Sequence, residues 1–209
     1  TLSLHCCAAM FFPYSTDAPI YYLPIGTISL IAVNILVFTA MFTTSEETFE
    51  TWLEWTLFHG DGIHPLQWIS SIFLHADIMH LAGNMFFLWV FGLVVEGKLG
   101  WMRFVPCYLF IGGLQSALEQ FALLNVNEFG ISLGASAAIY GIMAMAAVWA
   151  PKNEITFAYW FGLMFTGTFD IAIGLLAAIY VGYDLTIGTL LGGNALSSWL
   201  HLSGAAIGF

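Results

Sequence analysis

The sequence predicts an all-α polytopic membrane protein with six transmembrane helices, on three observations. Hydrophobic residues make up 60% of the 209 and charged residues only 8%, too few charges to cover the surface of a water-soluble domain. The mean hydropathy is +0.88. The apolar residues fall into separate runs near the ~20 residues that cross ~30 Å of hydrocarbon, divided by segments rich in Gly, Pro, Asn and charge. The balance of three Lys plus Arg against 13 Asp plus Glu supplies no basic footprint for nucleic acid and no polybasic patch for anionic lipid, which leaves protein or lipid as the expected partner. Cys6, Cys7 and Cys107 are odd in number and lack metal-ligand spacing, so no disulfide framework, metal site or cofactor is expected.

Taken in order, Thr1 to Phe12 has no Lys or Arg and no spaced cleavage signature, which argues against a signal peptide. No structure is expected before Met10. Pro13 to Pro24, with Asp17, Pro19, Tyr21 and Tyr22, reads as a lead-in at the head-group level, where aromatic rings are favoured. Residues 1–23 are therefore set apart from a membrane domain of residues 24–209. The first span is Pro24 to about Thr43. Thr44 to Leu74 carries Glu46, Glu47, Glu50, Glu54 and Asp61 among Trp52, Trp55 and Trp68, the pattern of a long loop with short amphipathic helices in the interface. Its His59 and His64, beside Gly60, Gly62 and Pro65, read as a solvated turn.

Spans two and three run from about Ile78 to Val95 and from about Trp101 to Ala122, joined by Glu96-Gly97-Lys98-Leu99-Gly100. Leu123 to Leu133 is a turn. Span four, about Gly134 to Ala150, is stopped by Pro151-Lys152-Asn153-Glu154. Ile155 to Tyr183 is apolar except at Asp170, too long for one span and costly with Asp170 at mid-bilayer. It is divided into an aromatic stretch along the cytoplasmic interface, Ile155 to Thr168, and a fifth span from about Phe169 to Leu185. Thr186 to Ser197 is a Gly-rich loop. A sixth span opens near Ser198 and is cut short at Phe209, about twelve residues against the ~20 a bilayer needs, so the last helix is expected to be truncated.

Lys98, Arg103 and Lys152 all fall on one side of this arrangement, and the acidic first loop falls on the other. The positive-inside rule therefore places the even-numbered links and the N-terminus in the cytoplasm.

This orientation gathers polar side chains into one shallow outer layer. Ser136 on span four and His201 on span six each lie three to five residues inside their helices, or ~5 to 8 Å at 1.5 Å per residue. His80 and Asn84 lie near the outer end of span two, and their i, i+4 spacing puts both on one face. A lone serine in Gly134-Ala135-Ser136-Ala137-Ala138-Ile139-Tyr140-Gly141 is more often a packing residue than a nucleophile. A lone membrane His or Asn is as often an interhelical hydrogen bond as a functional group. Two histidines, an asparagine and a serine at one depth on three helices weaken that reading, because intramembrane ionisable groups are costly. The set supplies a base and oxyanion donors for an activated serine. Tyr140, one turn below Ser136 on the same face, is placed to stack on His201.

From about Asp17 to Gly208 the chain resembles the rhomboid intramembrane serine proteases. His75, His80 and Asn84 match that family's spacing on its second helix. Gly134-Ala135-Ser136 with Tyr140 is similar to its nucleophile segment, and His201 with Gly204 and Gly208 to its last-helix histidine and small-residue packing motif. Glu96, Gly100 and Tyr183-Asp184-Leu185 fit less specifically, and Ala137 and Leu200 depart from the family pattern.

The resemblance, to the bacterial-type six-helix core, implies a multi-pass protein of a bacterial inner membrane, with a rhomboid-like bundle around a cavity open to the outer face. It implies a Ser136–His201 dyad that cleaves the transmembrane segments of other membrane proteins. It further assigns Ser136 N–H, His80 and Asn84 to the oxyanion, a supporting part to His75, Tyr140 and Gly134, and helix packing to Gly204 and Gly208. A neutral imidazole, ordinary pKa ~6.5, can take the serine proton without a third carboxylate, with Tyr140 orienting the ring.

Two other classes compete. A catalytically inactive rhomboid-like protein that binds membrane helices would have no need of the whole polar set. A channel would continue its polar lining toward the cytoplasm, whereas the inner halves of spans two and four read Phe86-Phe87-Leu88-Trp89-Val90 and Ile142-Met143-Ala144-Met145. No His-Glu-x-x-His pattern of a metalloprotease occurs.

Overall fold

The computed structural model describes residues 9–45, 47–48, 50–51, 58–59, 62–126, 131–161, 165–187 and 195–209. The chain is mostly helical: α1 (Ile25–Thr43), α2 (Pro65–Ser70) with a following 3-10 turn (Ser71–Phe73), α3 (Ile78–Leu99), α4 (Trp101–Val126), α5 (Ser136–Trp149), α6 (Ile173–Leu185) and α7 (Ala195–Gly208). By length and apolar character, Ile78–Leu99 and Trp101–Leu124 can each cross a membrane, whereas the apolar segments Ile25–Met41, Ser136–Trp149 and Ile173–Leu185 are shorter. Among the described residues, two of the expected six spans are therefore helices of full length.

Helix α5 is the centre of the bundle, packed against α3, α4, α6 and α7, with Ala137 through Met143 all buried. Its small residues allow this. A Cβ at Gly141 would come within 2.6 Å of the Ile111 side chain and 2.9 Å of the Gly204 carbonyl, so close approach on both sides depends on the missing side chain. On the cytoplasmic side of the expected orientation, Gly100 (φ +75) turns the chain between α3 and α4 in a conformation that glycine adopts without steric cost. The link is this single residue. Glu96 to Leu99, expected in the connection, continue the helix.

Helix α1 begins after Pro24 with no side-chain cap of its own. Its first amide groups are satisfied instead by Glu96 of α3, which accepts from Gly26 N (2.6 Å), Thr27 N (2.6 Å) and Thr27 Oγ1 (2.7 Å). A carboxylate at a helix N-terminus meets both the unpaired amides and the positive end of the helix dipole.

The all-α expectation is corrected by an antiparallel sheet of β1 (Ala9–Thr16), β4 (Glu154–Phe161) and β5 (Phe165–Ala172), in the order β1-β4-β5. Two further short strands, β2 (Phe58–His59) and β3 (Ile131–Ser132), pair with each other. Most of the stretch expected to lie in the interface, Ile155 to Thr168, thus falls in the paired strands β4 and β5, and α6, the helix expected as the fifth span, starts at Ile173 rather than Phe169. Alternation explains it. Ile155, Phe157 and Tyr159 pair across with Ile171, Phe169 and Gly167, and this face packs on the bundle through Phe157, stacked between Phe86 (6.1 Å) and Phe169 (5.4 Å). Thr166, Thr168 and Asp170 on the other face are exposed, the two-residue period of a half-buried sheet. Pro13 sits in the edge strand β1, where a missing amide costs no ladder bond, and its carbonyl accepts from Trp89 Nε1 (2.9 Å).

Candidate active site

The site is built where α5 begins. Gly134 has φ +114, and its amide donates to the carbonyl of Ser71 (2.9 Å), the first residue of the 3-10 turn. A Cβ there would come within 2.9 Å of the His80 ring and 3.5 Å of Asn84 Nδ2. Only glycine suits this conformation and this space. Ser136 follows as the first residue of α5, so it sits at the helix end rather than three to five residues inside.

His201, on α7, reaches Ser136 with Nε2 at 2.9 Å from Oγ. The approach of the two helices is set by glycine: a Cβ on Gly204 would overlap the Ala137 carbonyl, and one on Gly208 the Gly141 carbonyl. The contact is made with the backbone of Ala137, so its methyl group does not intervene. Leu200 is half-buried and lines the cavity beside Ser136 without opening the gap between the two residues. Tyr140 lies flat against the His201 ring, centroids 4.6 Å apart and planes 12° from parallel, and is tilted against Tyr180, centroids 5.1 Å apart. The imidazole is thereby fixed in rotation as well as in position.

The Nδ1 of His201 faces Asp184 Oδ2 at 3.1 Å, with the two side chains only 15% and 19% exposed. Sequence reasoning places Asp184 in a less specific family segment and misses its position beside His201. The expectation that Tyr140 alone orients the ring is corrected, since a carboxylate occupies the far side of the imidazole. An acid at the end of an apolar fifth helix was the available signal, because such groups in membrane helices mark function.

On α3, Asp77 caps the helix by accepting from Met79 N (2.8 Å) and His80 N (2.9 Å), which holds its carboxyl below the ordinary value of 3.8. Asn84 is buried, and its Nδ2 has no hydrogen-bond partner. His75 is 1% exposed, edge-on to His80 at 5.1 Å between ring centroids. Burial, followed by the neighbouring His80, lowers its pKa from 6.5 to about 4. Behind Ser136 a cavity of about 50 Å³ is lined by Ser71, Gln115, Ser116, Gly134, Ser136 and His201 among others, polar and large enough for ordered water.

Ser136, His201, Tyr140, His80, Asn84, His75 and Gly134 thus lie together, with Gly204 and Gly208 behind them. Chemically the group offers a hydroxyl, an imidazole able to accept its proton, a carboxylate behind the imidazole, and free N–H donors beside the hydroxyl.

The rhomboid domain model matches residues 64–209. Among similar proteins, the mitochondrial presenilin-associated rhomboid-like protein of Homo sapiens is 29% identical over 140 residues, covering 67% of this chain and 35% of that one. The chloroplastic rhomboid-like protein 11 of Arabidopsis thaliana is 30% identical over 151 residues, covering 68% and 49%. The rhomboid protease GlpG of Yersinia pseudotuberculosis is 24% identical over 182 residues, covering 87% and 59%. The chain spans between about a third and three-fifths of the length of these relatives. Because they include mitochondrial and chloroplastic proteins, a bacterial inner membrane has no particular support. Apolar helices of spanning length and a family match over most of the chain make this an integral membrane protein that belongs to the rhomboid family.

Proposed function

We propose that this chain is the catalytic unit of a serine endopeptidase that cuts the transmembrane segments of other membrane proteins. The observation that carries the reading is the 2.9 Å approach of His201 Nε2 to Ser136 Oγ. Ser136 Oγ attacks the scissile carbonyl carbon while its proton passes to His201 Nε2. The oxyanion forms beside the Ser136 N–H, the His80 ring and Asn84 Nδ2. The C–N bond then breaks as His201 returns the proton to the leaving amine, and a water repeats the sequence to release the acyl group. The unpartnered donor of Asn84 supports this role, since a buried donor without an acceptor is costly unless the reaction supplies one.

In the same reading the chain crosses the bilayer six times, with its N-terminus cytoplasmic and the site open to the opposite face. Substrates unwind locally near small side chains, because a hydrogen-bonded helix hides its carbonyls and the cavity behind Ser136 is small. A helix-binding rhomboid without activity is the competing reading, and the serine–histidine contact argues against it. A fluorophosphonate probe applied to the protein in detergent should label Ser136. Labelling should disappear in Ser136→Ala and fall strongly in His201→Ala. If Ser136→Ala labels as the native protein does, the assignment fails.

A further inference from the structure

Helices α6 and α7 are held together at their polar ends by two contacts that meet at one residue. Asp184 Oδ2 lies 3.1 Å from His201 Nδ1, and the Asp184 carbonyl accepts from Ser198 Oγ at 3.1 Å. Ser198 is 1% exposed. The first contact fixes the side chain and the second fixes the backbone, so the carboxylate is anchored from both ends of the residue. The other polar groups against His201 are Ser136 and Tyr140 on α5, Tyr180 beside Tyr140 on α6, and His80 on α3, within electrostatic range. Among the described residues, Asp184 is the one carboxylate in contact with His201.

A histidine that must take a proton on Nε2 has to carry its existing proton on Nδ1. A neutral imidazole left to itself does not settle in the Nδ1–H form. A carboxylate facing Nδ1 accepts only from N–H and thereby selects that tautomer. When the Ser136 proton arrives, the same carboxylate stands beside the imidazolium and stabilises its charge. Ring stacking by Tyr140 restrains the plane of the imidazole but supplies neither effect.

We infer that Asp184 is the positioning residue of a Ser136–His201–Asp184 triad, holding His201 in the Nδ1–H tautomer and stabilising its protonated form. The inference rests on the proposed serine peptidase activity. It separates this chain from a simple dyad, in which no charge assists the base.

The test uses the rate at which a fluorophosphonate labels Ser136, which needs no natural substrate. Asp184→Asn keeps the shape but turns the carboxylate into an amide that can donate to Nδ1 and favour the wrong tautomer. In a buried serine-protease triad that change costs ~10⁴ in kcat. Here the pair is partly exposed and water can enter, so a fall of ~10-fold or more is expected. Asp184→Glu should recover part of the rate. A contact serving only to hold the helices would lower the unfolding temperature together with the rate, so thermal unfolding is followed on the same preparations.

Labelling of Asp184→Asn at the native rate, or a loss of rate that only tracks unfolding, overturns the inference. Should that variant not fold, nitrogen NMR of histidine-labelled native protein decides. The His201 signal, assigned by its loss in His201→Gln, should show a protonated Nδ1 and a bare Nε2 near neutral pH. The opposite tautomer overturns the inference. Failure of the peptidase reading itself is distinguishable, since native protein and Ser136→Ala would then label alike.

Discussion

Thr27, at the start of α1, gives both its amide and its hydroxyl to one carboxylate oxygen of Glu96, at 2.6 and 2.7 Å, while the second oxygen takes the amide of Gly26 at 2.6 Å. Glu96 is fully buried, so the first turn of α1 has no water to replace it. Hydrogen bonds to a charged group are worth ~1.5–3 kcal/mol each, and an unpaired buried donor costs ~1–3 kcal/mol. Glu96→Ala should therefore destabilise the fold by about 3 kcal/mol or more, seen as a lower midpoint of thermal unfolding in detergent. Thr27→Val, which removes only the hydroxyl bond, should cost less. A melting temperature unchanged in Glu96→Ala would mean that water reaches the helix end.

Gly204 sets the distance between nucleophile and base. Its Cα hydrogen faces the backbone of Ala137, one residue beyond Ser136, and even a methyl group there would overlap the carbonyl. Because both partners are helix backbone, the clash cannot be relieved by rotating a side chain. Gly204→Ala should push α7 away from α5 and lengthen the Ser136–His201 contact. A displacement near ~1 Å in a catalytic pair can cost ~10² in rate, so activity should fall much further than stability. Parallel measurement of Ser136 labelling and thermal unfolding checks this, and full labelling in the variant would contradict it.

His75 makes stability depend on pH in a window of its own. Its native pKa of about 4 lies below the ordinary 6.5 because burial, and secondarily His80, disfavours the charged ring. Between these values the unfolded chain binds a proton that the native protein does not, so stability rises with pH across the window and is lost as the pH falls from 6.5 toward 4. Asp77 acts lower, since its carboxyl is held below 3.8 and its contribution disappears only as the pH falls below that range. Unfolding midpoints measured from pH 7 to pH 4 should decline, and His75→Phe should flatten the slope. An equal decline in both proteins would remove His75 as the cause.

What the sequence reveals differs between residues that act within one helix and those that meet across the fold. The i, i+4 pair of His80 and Asn84, and Tyr140 one turn from Ser136, follow from helical period alone, so their convergence was legible. The Asp184–His201 contact joins two helices whose relative rotation no local pattern fixes, and in the sequence Asp184 belongs only to Tyr183-Asp184-Leu185, a less specific part of the family resemblance at the end of an apolar run. Glu96 appeared as part of a charged link because Lys98 and two glycines surround it, whereas the helix continues to Leu99. The sheet was hidden for another reason. In Glu154 to Phe161, Ala158 and Trp160 blur the alternation that Thr166, Thr168 and Asp170 show clearly. Its third strand is contributed by Ala9–Thr16, far away in sequence.

Asn84 separates catalysis from helix packing. Its side chain is buried beside Gly134, its Nδ2 has no partner, and the His80 ring lies on the same side of the glycine. An unpaired donor of this kind adds nothing to the resting fold. If it holds the developing oxyanion, it binds the transition state more strongly than the substrate, and the loss belongs in kcat. Removing one such donor from a serine hydrolase costs ~10²–10³ in kcat when the geometry is ideal. With His80 and the Ser136 N–H still present, Asn84→Ala should lower kcat by ~10-fold or more and leave KM nearly unchanged. Because the amide makes no bond through Nδ2 in the ground state, the unfolding temperature should change little. Purified variant and native protein would be assayed on one transmembrane substrate, with thermal unfolding followed on the same preparations. Unaltered cleavage, or a loss of activity that tracks unfolding, would return Asn84 to a packing role while leaving the Ser136–His201 contact as it stands.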